Sequence, residues 1–295
     1  MQNFCITASL ICEKKLLMLN FLQFGIVQGR LVQSPPGKLQ WFPQDCWESE
    51  FFIAPAVGIN YIELIAERNH NSNNPIWNDL GISRIKELTK RNNLSLYTLC
   101  NDYVIDHGLM DNEDVLEQNY RLLDRCRLLG IKKYIVPLFE HSELNDNNEV
   151  RLVNPLRLIA DKAREYGILV CLETLYTSKE LISFLDHLAH PNIAIVYDTG
   201  NRVLFEPSLK SEIHSLGRER IVHVHIKDKN KNNKNVLLGT GLVNFMEVFE
   251  ALEDIDYNGA YTFETDRGND PVRTVLYGIE FVKFFHNEAQ LLLLW

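Results

Sequence analysis

The stretch "RIVHVHIKDK", Arg220 to Lys229, decides how this chain is read. Its apolar, β-branched character makes it a strand, and strand side chains alternate between two faces. His223 and His225 therefore share one face, and Val222, Val224 and Ile226 share the other. Two imidazoles on one face of a buried strand need polar neighbours, because an unpaired polar group in an apolar interior is costly. The reading to be tested is that the histidine face looks into an enclosed polar interior while the valine face packs beneath helices.

Working outward, similar apolar runs recur at 24–28, 61–65, 94–99, 133–137, 168–173, 193–198, 221–226 and 260–264. Between them lie segments with the 3.6-residue apolar period of helices, at 47–57, 80–92, 112–129, 154–166, 178–188, 207–217, 244–254 and 271–286. Gly130 and Gly167 stand where a glycine ends a helix before the next strand. Asn154-Pro155 and Asp270-Pro271 each offer an N-cap followed by proline at the first helical position. Strict strand–helix alternation predicts parallel strands with helical crossovers, and the common closed solution is an α/β fold, the (β/α)8 barrel. A doubly wound open sheet usually carries a glycine-rich phosphate turn after its first strand, and "VQGRLVQSPPG" is not of the GxGxxG form.

A chain of 295 residues suits one such barrel, which commonly needs about 250. We expect a single domain over 23–287, an N-terminal extension over 1–22 with Met18 as an alternative start, and an apolar C-terminal tail over 288–295 ending in "LLLLW". The net charge of −9 argues against nucleic acid as a partner. Six cysteines without CxxC spacing fit a reduced, cytoplasmic setting. The run Phe4–Cys12 lacks a basic leader and is broken by Glu13, Lys14 and Lys15, so neither a secretory signal nor a membrane span is expected.

The last four strands each end in a potential ligand: Glu173 in "VCLE", Asp198 in "IVYD", His225 in "VHVHI" and Glu264 in "YTFE". Functional groups of a barrel gather at the C-terminal ends of its strands. Three carboxylates and one imidazole converging there suit a single divalent cation: Mn²⁺, Mg²⁺ or Co²⁺, with Zn²⁺ admissible. A strand-end acid is also a common helix N-cap, so each residue taken singly has a structural reading. His223, one step deeper on the same face, is expected to hydrogen-bond beneath the site rather than to ligate.

The segments "GIVQGRLVQSPPGKLQWFP", "WESEFFIAPAVGINYIELI", "LCNDYVIDHGL", "LETLY", "YDTGN", "HVHIKDK", "LGTGLVNF" and "GAYTFETDRG" together give the chain a familiar outline. From Phe24 to Phe285 it resembles the sugar phosphate isomerase/epimerase group of the xylose isomerase-like TIM barrels. The resemblance implies that Glu173, Asp198, His225 and Glu264 bind one metal ion and that Glu173 and Glu264 form the acid/base pair of a ketose 3-epimerase or isomerase. A proton beside a carbonyl is too weakly acidic for a carboxylate alone, and a metal that stabilises the enediolate lowers that barrier by several kcal/mol.

The same likeness marks further positions. Asn201 stands where several relatives place a histidine, and Lys231 where ketose epimerases often place an arginine. Substrate contacts are expected at Asn201, Lys227, Arg267, Arg30, His107 and Glu140, with Asp106 and His141 on the same rim. Trp41, Phe42 and Tyr103 are candidate walls of a sugar pocket, and Trp47 reads as the core face of the first helix. The implied partner is a small sugar or sugar phosphate, and a homo-oligomer is compatible with the exposed aromatics. Three other activities share this outline: a dehydratase of the inosose or dehydroshikimate kind, a phosphodiesterase of the AP endonuclease kind, and a sugar-binding barrel without catalysis. Asn201 and the acidic charge weigh against the phosphodiesterase, and an intact glutamate pair weighs against loss of catalysis.

Overall fold

In the computed structural model of the chain, which describes residues 22–205 and 208–292, the apolar runs close into one barrel. Its strands are β1 (Phe24–Val27), β2 (Tyr61–Ala66), β3 (Thr98–Asn101), β4 (Lys133–Pro137), β5 (Leu169–Glu173), β6 (Ile193–Asp198), β7 (Ile221–Ile226) and, after a short hairpin of β8 (Asp228–Lys229) with β9 (Asn235–Val236), β10 (Tyr261–Phe263). Neighbours pair in parallel in the order β1-β10-β7-β6-β5-β4-β3-β2, and β2 closes the ring on β1. This is the expected (β/α)8 architecture, with every strand pointing its C-terminal end at one mouth.

Alternation along the strands sorts side chains into two populations. Ile62, Leu64, Val170, Leu172, Val224 and Ile226 face outward and join the large cluster beneath the helices. Val27, Ile65, Cys100, Ile135, Cys171 and Val196 form a smaller cluster inside the barrel. Tyr61, Glu63, His223, His225 and Thr262 are buried in neither apolar cluster and form the polar part of the interior. The histidine face of β7 is thus interior, as read from sequence. Val222 departs from that reading: the β6–β7 register skips it, Ile195 pairing with Ile221 and Val196 with His223. As the extra residue of a bulge it packs against the inner cluster instead of under the helices.

Most helices fall where the apolar period places them. The last runs Pro271–Leu292, with Pro271 first and Asp270 Oδ1 accepting the Arg273 amide, and it continues through residues 288–292. Helix Ser178–Leu188 carries a capping box between Thr177 and Glu180. The Asn154-Pro155 start is corrected: the helix begins at Glu149 and Pro155 lies inside it. An interior proline costs about 3 kcal/mol. Leu152, Leu156 and Ile159 extend one apolar stripe across that point, all fully buried, each worth about 1.5–3 kcal/mol. Burial therefore outweighs the break. Strand 94–99 is also displaced: the paired strand is Thr98–Asn101, with Ser95 making one isolated bridge to Tyr61. Of the expected N-terminal extension, all but Leu22 lies outside the described residues, as do 293–295 of the tail and the first residue of the 207–217 helix, observed as Leu209–Leu216.

The loop after β1 is strapped to the mouth by buried side chains that hydrogen-bond its backbone. Gly29 and Leu31 donate their amides to the Glu50 carboxylate at 2.8–3.1 Å. Arg267 Nε donates to Gly29 O, and its Nη1 to Leu39 O. Gly29 has φ +86° and a Cβ there would lie 2.1 Å from Trp41 O, so only glycine fits. Among the described residues no helix is long and apolar enough to cross a membrane.

Burial raises the Glu50 carboxyl from its ordinary 4.5 to about 7, against the pull of the Gly29 and Leu31 amides and of Arg267 and Arg30. The fold therefore favours its protonated form. That contribution is fully present below pH 4.5 and is lost as pH rises through about 7. Wild type should lose about 3 kcal/mol relative to Glu50→Gln between pH 4.5 and 8. Urea unfolding of the two proteins across that range measures it; parallel curves would contradict the assignment.

Candidate functional site

Strand pairing alone brings the four strand-end residues together. Asp198 pairs with His225 across β6–β7, and His225 pairs with Thr262 across β7–β10. The Glu264 amide continues that ladder by donating to Ile226 O at 3.2 Å. Pro137 pairs with Glu173, and Leu138 donates to Glu173 O. One ligand atom from each of Glu173, Asp198, His225 and Glu264 lies within 4.8 Å of all the others.

The local chemistry of each group is distinct. Asp198 Oδ1 accepts the Asn201 amide at 2.6 Å and caps the short helix Thr199–Arg202, so the structural reading of a strand-end acid also holds. Its other oxygen, Oδ2, faces the cluster, 2.9 Å from Lys227 Nζ but without hydrogen-bond geometry. Glu173 Oε1 accepts Asn201 Nδ2 at 2.9 Å. Glu264 Oε2 lies 2.8 Å from Lys227 Nζ and 3.3 Å from His225 Nδ1, and Glu264 Oε1 lies 3.5 Å from Arg30 Nη2. His225 Nδ1 is buried, lies 3.8 Å from Glu173 Oε2, and makes no hydrogen bond of good geometry.

The electrostatics follow from crowding acids in a buried mouth. Burial pushes Glu173 up to about 8, aided by Glu264 and Asp198 against His225 and Lys227. Burial pushes Glu264 the same way, but Lys227, His225 and Arg30 outweigh it and hold Glu264 well below the usual carboxylate range. Burial would lower His225, yet Glu63, Glu264 and Glu173 raise it well above the ordinary imidazole value. The field at this point thus favours positive charge. Three carboxylates with a buried imidazole nitrogen aimed among them fit a hard or borderline divalent cation.

These groups open onto a cavity of about 430 Å³ lined by Glu173, Asn201, His225, Lys227 and Glu264 on one side and by Val27, Arg30, Gln40, Arg68, Asp102 and Phe139 on the other. Of the six positions expected to meet substrate, Asn201, Lys227 and Arg30 line it. Three do not. Arg267 donates from Nε to the Gly29 carbonyl and from Nη1 to the Lys38 and Leu39 carbonyls, with Nη2 buried and unpartnered among the described residues. Glu140 pairs with Arg68, which also pairs with Asp106. His107 Nε2 contacts Arg68 O and its ring stacks on Tyr103. Among the expected aromatics, Trp41 and Phe42 line a neighbouring hollow, and Trp47 packs on Phe51. Phe139 is the ring that lines the central cavity.

Sequence reasoning missed Glu63, Asp102 and Phe139. Glu63 sits in "YIELIA", and its signal was available: Tyr61, Glu63 and Ile65 share the interior face that alternation leaves opposite Ile62 and Leu64. Asp102 follows β3, and burial raises it to about 6. Asp228, by contrast, organises the hairpin that follows β7. Its carboxylate accepts the amides of Gly239, Gly241 and Val243 at 2.8–3.1 Å.

Fold and site together define a (β/α)8 barrel whose mouth carries a carboxylate–imidazole cluster able to hold a metal ion. Residues 51–284 match the xylose isomerase-like TIM barrel family, and the chain belongs to it. Several of its relatives are sugar epimerases. An L-ribulose 3-epimerase of Methylomonas sp. (strain DH-1) is 32% identical over 126 residues, a match spanning 40% of this chain and 42% of that protein. An L-ribulose-5-phosphate 3-epimerase of Shigella flexneri serotype 5b is 21% identical over 81% of this chain and 89% of its own. The crystal structure of D-psicose 3-epimerase with D-tagatose from Clostridium cellulolyticum H10 superposes with a TM-score of 0.72 at 20% identity, covering 90% of this chain and 99% of the other.

The ends of β5 and β6 are held by a buried pair. Arg202 donates to Thr174 O and to the Glu212 carboxylate, which also accepts Tyr197 Oη. Arg202→Leu leaves Glu212 buried without its counter-charge, and we expect a loss of about 3–5 kcal/mol in chemical unfolding. A change under 1 kcal/mol would mean that the pair does not brace the site.

Proposed function

We propose that this chain is a divalent-cation-dependent ketose 3-epimerase acting on unphosphorylated ketoses. The observation that carries the reading is that Glu173 and Glu264 line one cavity from the ends of β5 and β10, with β6 and β7 between them and His225 of β7 lining the same cavity. Glu173, Asp198, His225 and Glu264 hold the cation. A bound cation supplies Lewis acidity that polarises a ketose carbonyl and acidifies the neighbouring C–H. One glutamate takes that proton, and the other, protonated, returns one from the opposite side, which inverts the carbon. The reverse reaction exchanges their roles. Asn201 orients Glu173 through its 2.9 Å hydrogen bond. Lys227, on a flexible stem beside Asp198 and Glu264, meets a substrate oxygen.

The preference for an unphosphorylated sugar rests on how the arginines are used. Arg68 is answered by Asp106 and Glu140, and Arg30 by Glu264 and the Thr265 carbonyl. Arg267 is turned to backbone carbonyls. A phosphate, which is well met by bidentate arginine, has to compete for each of them. Arg267, Glu140 and His107 serve instead to brace the loops around the cavity.

The test is incubation of free ketoses and ketose phosphates with the protein and Mn²⁺ in heavy water. Epimerisation of a free ketose with one deuteron incorporated at the inverted carbon is expected, faster than for its phosphate. Loss of water would identify a dehydratase, and preference for the phosphate would overturn the substrate assignment. Glu173→Gln and Glu264→Gln should each lower kcat by about 10²–10⁴-fold with the fold intact; retention of near-native turnover by either removes it from the acid/base pair. After equilibration with Mn²⁺ and desalting, elemental analysis should find His225→Gln depleted of metal and His223→Gln much less so. Equal depletion would place both imidazoles on the ion.

A further inference from the structure

Below the acid cluster a polar column runs into the barrel. Glu63, from β2, stands across the interior from β7, and its side chain is 1% exposed. Its Oε2 accepts from His223 Nε2 at 3.2 Å and from His225 Nε2 at 3.4 Å, and its Oε1 lies 3.1 Å from His225 Nε2 without hydrogen-bond geometry. Thr262 Oγ1 lies 2.9 Å from His223 Nε2 and 2.5 Å from Tyr61 Oη. An ionised carboxylate has no proton to give, so a neutral imidazole facing it carries its proton on the facing nitrogen. For His225 that nitrogen is Nε2. The other, Nδ1, lies 3.3 Å from Glu264 Oε2 and 3.8 Å from Glu173 Oε2, so it is the nitrogen aimed at the place where a cation would sit.

We propose that Glu63 is a positioning residue for the cation site: it accepts the Nε2–H of His225 and so fixes the tautomer and ring orientation that direct Nδ1 at the ion. The inference rests on the cation reading given above. His223, hydrogen-bonded to Oε2 of the same carboxylate and backed by Thr262 and Tyr61, keeps Glu63 from turning away. A carboxylate behind a ligating histidine both orients the ring and raises its basicity. This arrangement also accounts for a buried carboxylate that makes no lysine or arginine ion pair among the described residues: it is shared by two imidazoles, and the pair of histidines on one face of β7 has a common partner.

The experiment compares wild type with Glu63→Gln and Glu63→Leu. Glutamine keeps the volume and an acceptor but loses the charge; leucine loses both. Mn²⁺ titration calorimetry should show affinity falling about tenfold in Glu63→Gln and about 100-fold in Glu63→Leu, with far-ultraviolet dichroism unchanged. In ¹⁵N-histidine spectra of the Zn²⁺-loaded proteins, wild-type His225 should show a slowly exchanging proton on Nε2 and a metal-shifted Nδ1. That protected proton should vanish in Glu63→Leu. Should Glu63→Leu not fold, Glu63→Gln alone carries the comparison. Folded variants that bind Mn²⁺ within twofold of wild type, or a His225 that carries its proton on Nδ1, overturn the role of Glu63. Wild type that takes up no Mn²⁺ overturns the cation reading itself, and the two failures are distinct.

Discussion

Three carboxylates packed into one buried mouth repel each other and lose hydration, and positive charge must answer them. Much of the upper barrel reads as a response to that demand. Lys227 reaches Asp198 and Glu264, Arg30 lies over Glu264, and His225 is raised well above its ordinary value by the acids around it, against its own burial. A carboxylate in so apolar a setting is otherwise driven to protonate, as burial does to Glu173. The same field that disfavours the empty arrangement favours a divalent ion.

The fold places these charges without any long-range search by individual side chains. Parallel pairing puts Asp198, His225 and Thr262, two residues before Glu264, in adjacent register, and alternation turns all of them inward. The surrounding loops are then fastened by ionisable side chains and backbone hydrogen bonds: Glu50 under the loop after β1, Arg267 across its far limb, Asp228 at the hairpin after β7, and Arg202 with Glu212 behind β5 and β6. Each fastening uses a buried ionisable side chain that the apolar pattern of the sequence does not require. Rigid placement of the facing groups is what the proposed proton transfer between two faces of one carbon needs.

Much of this was legible in the chain itself. The strand-end acids and His225 stood out because each closes an apolar β-run, and the interior placement of His223 and His225 followed from the two-residue period of a strand. Glu63 was legible by the same rule and was passed over, because one glutamate among five apolar residues draws less notice than a repeated histidine. Arg267 and Glu140 were misplaced for a different reason. Both lie in loops after strands, where a position in sequence fixes the neighbourhood but not the direction of a long side chain. Val222 and Pro155 show local rules yielding to tertiary packing, one to a bulge in the ladder and the other to an apolar stripe that burial makes worth more than the proline costs.

The sequence by itself determined the architecture and the identity of the four converging strand-end residues, because both rest on period: two for strands, 3.6 for helices, and one acid or imidazole at each of four successive strand ends. Only the tertiary structure decided which cation answers which acid, that Asn201 holds Glu173, that Phe139 rather than Trp41 or Tyr103 lines the cavity, and that Glu63 lies between two histidines 160 and 162 residues away. Periodicity specifies the face on which a residue stands. The partner it meets there depends on closure of the barrel, which brings β2 and β7 to opposite sides of one interior that no local pattern describes.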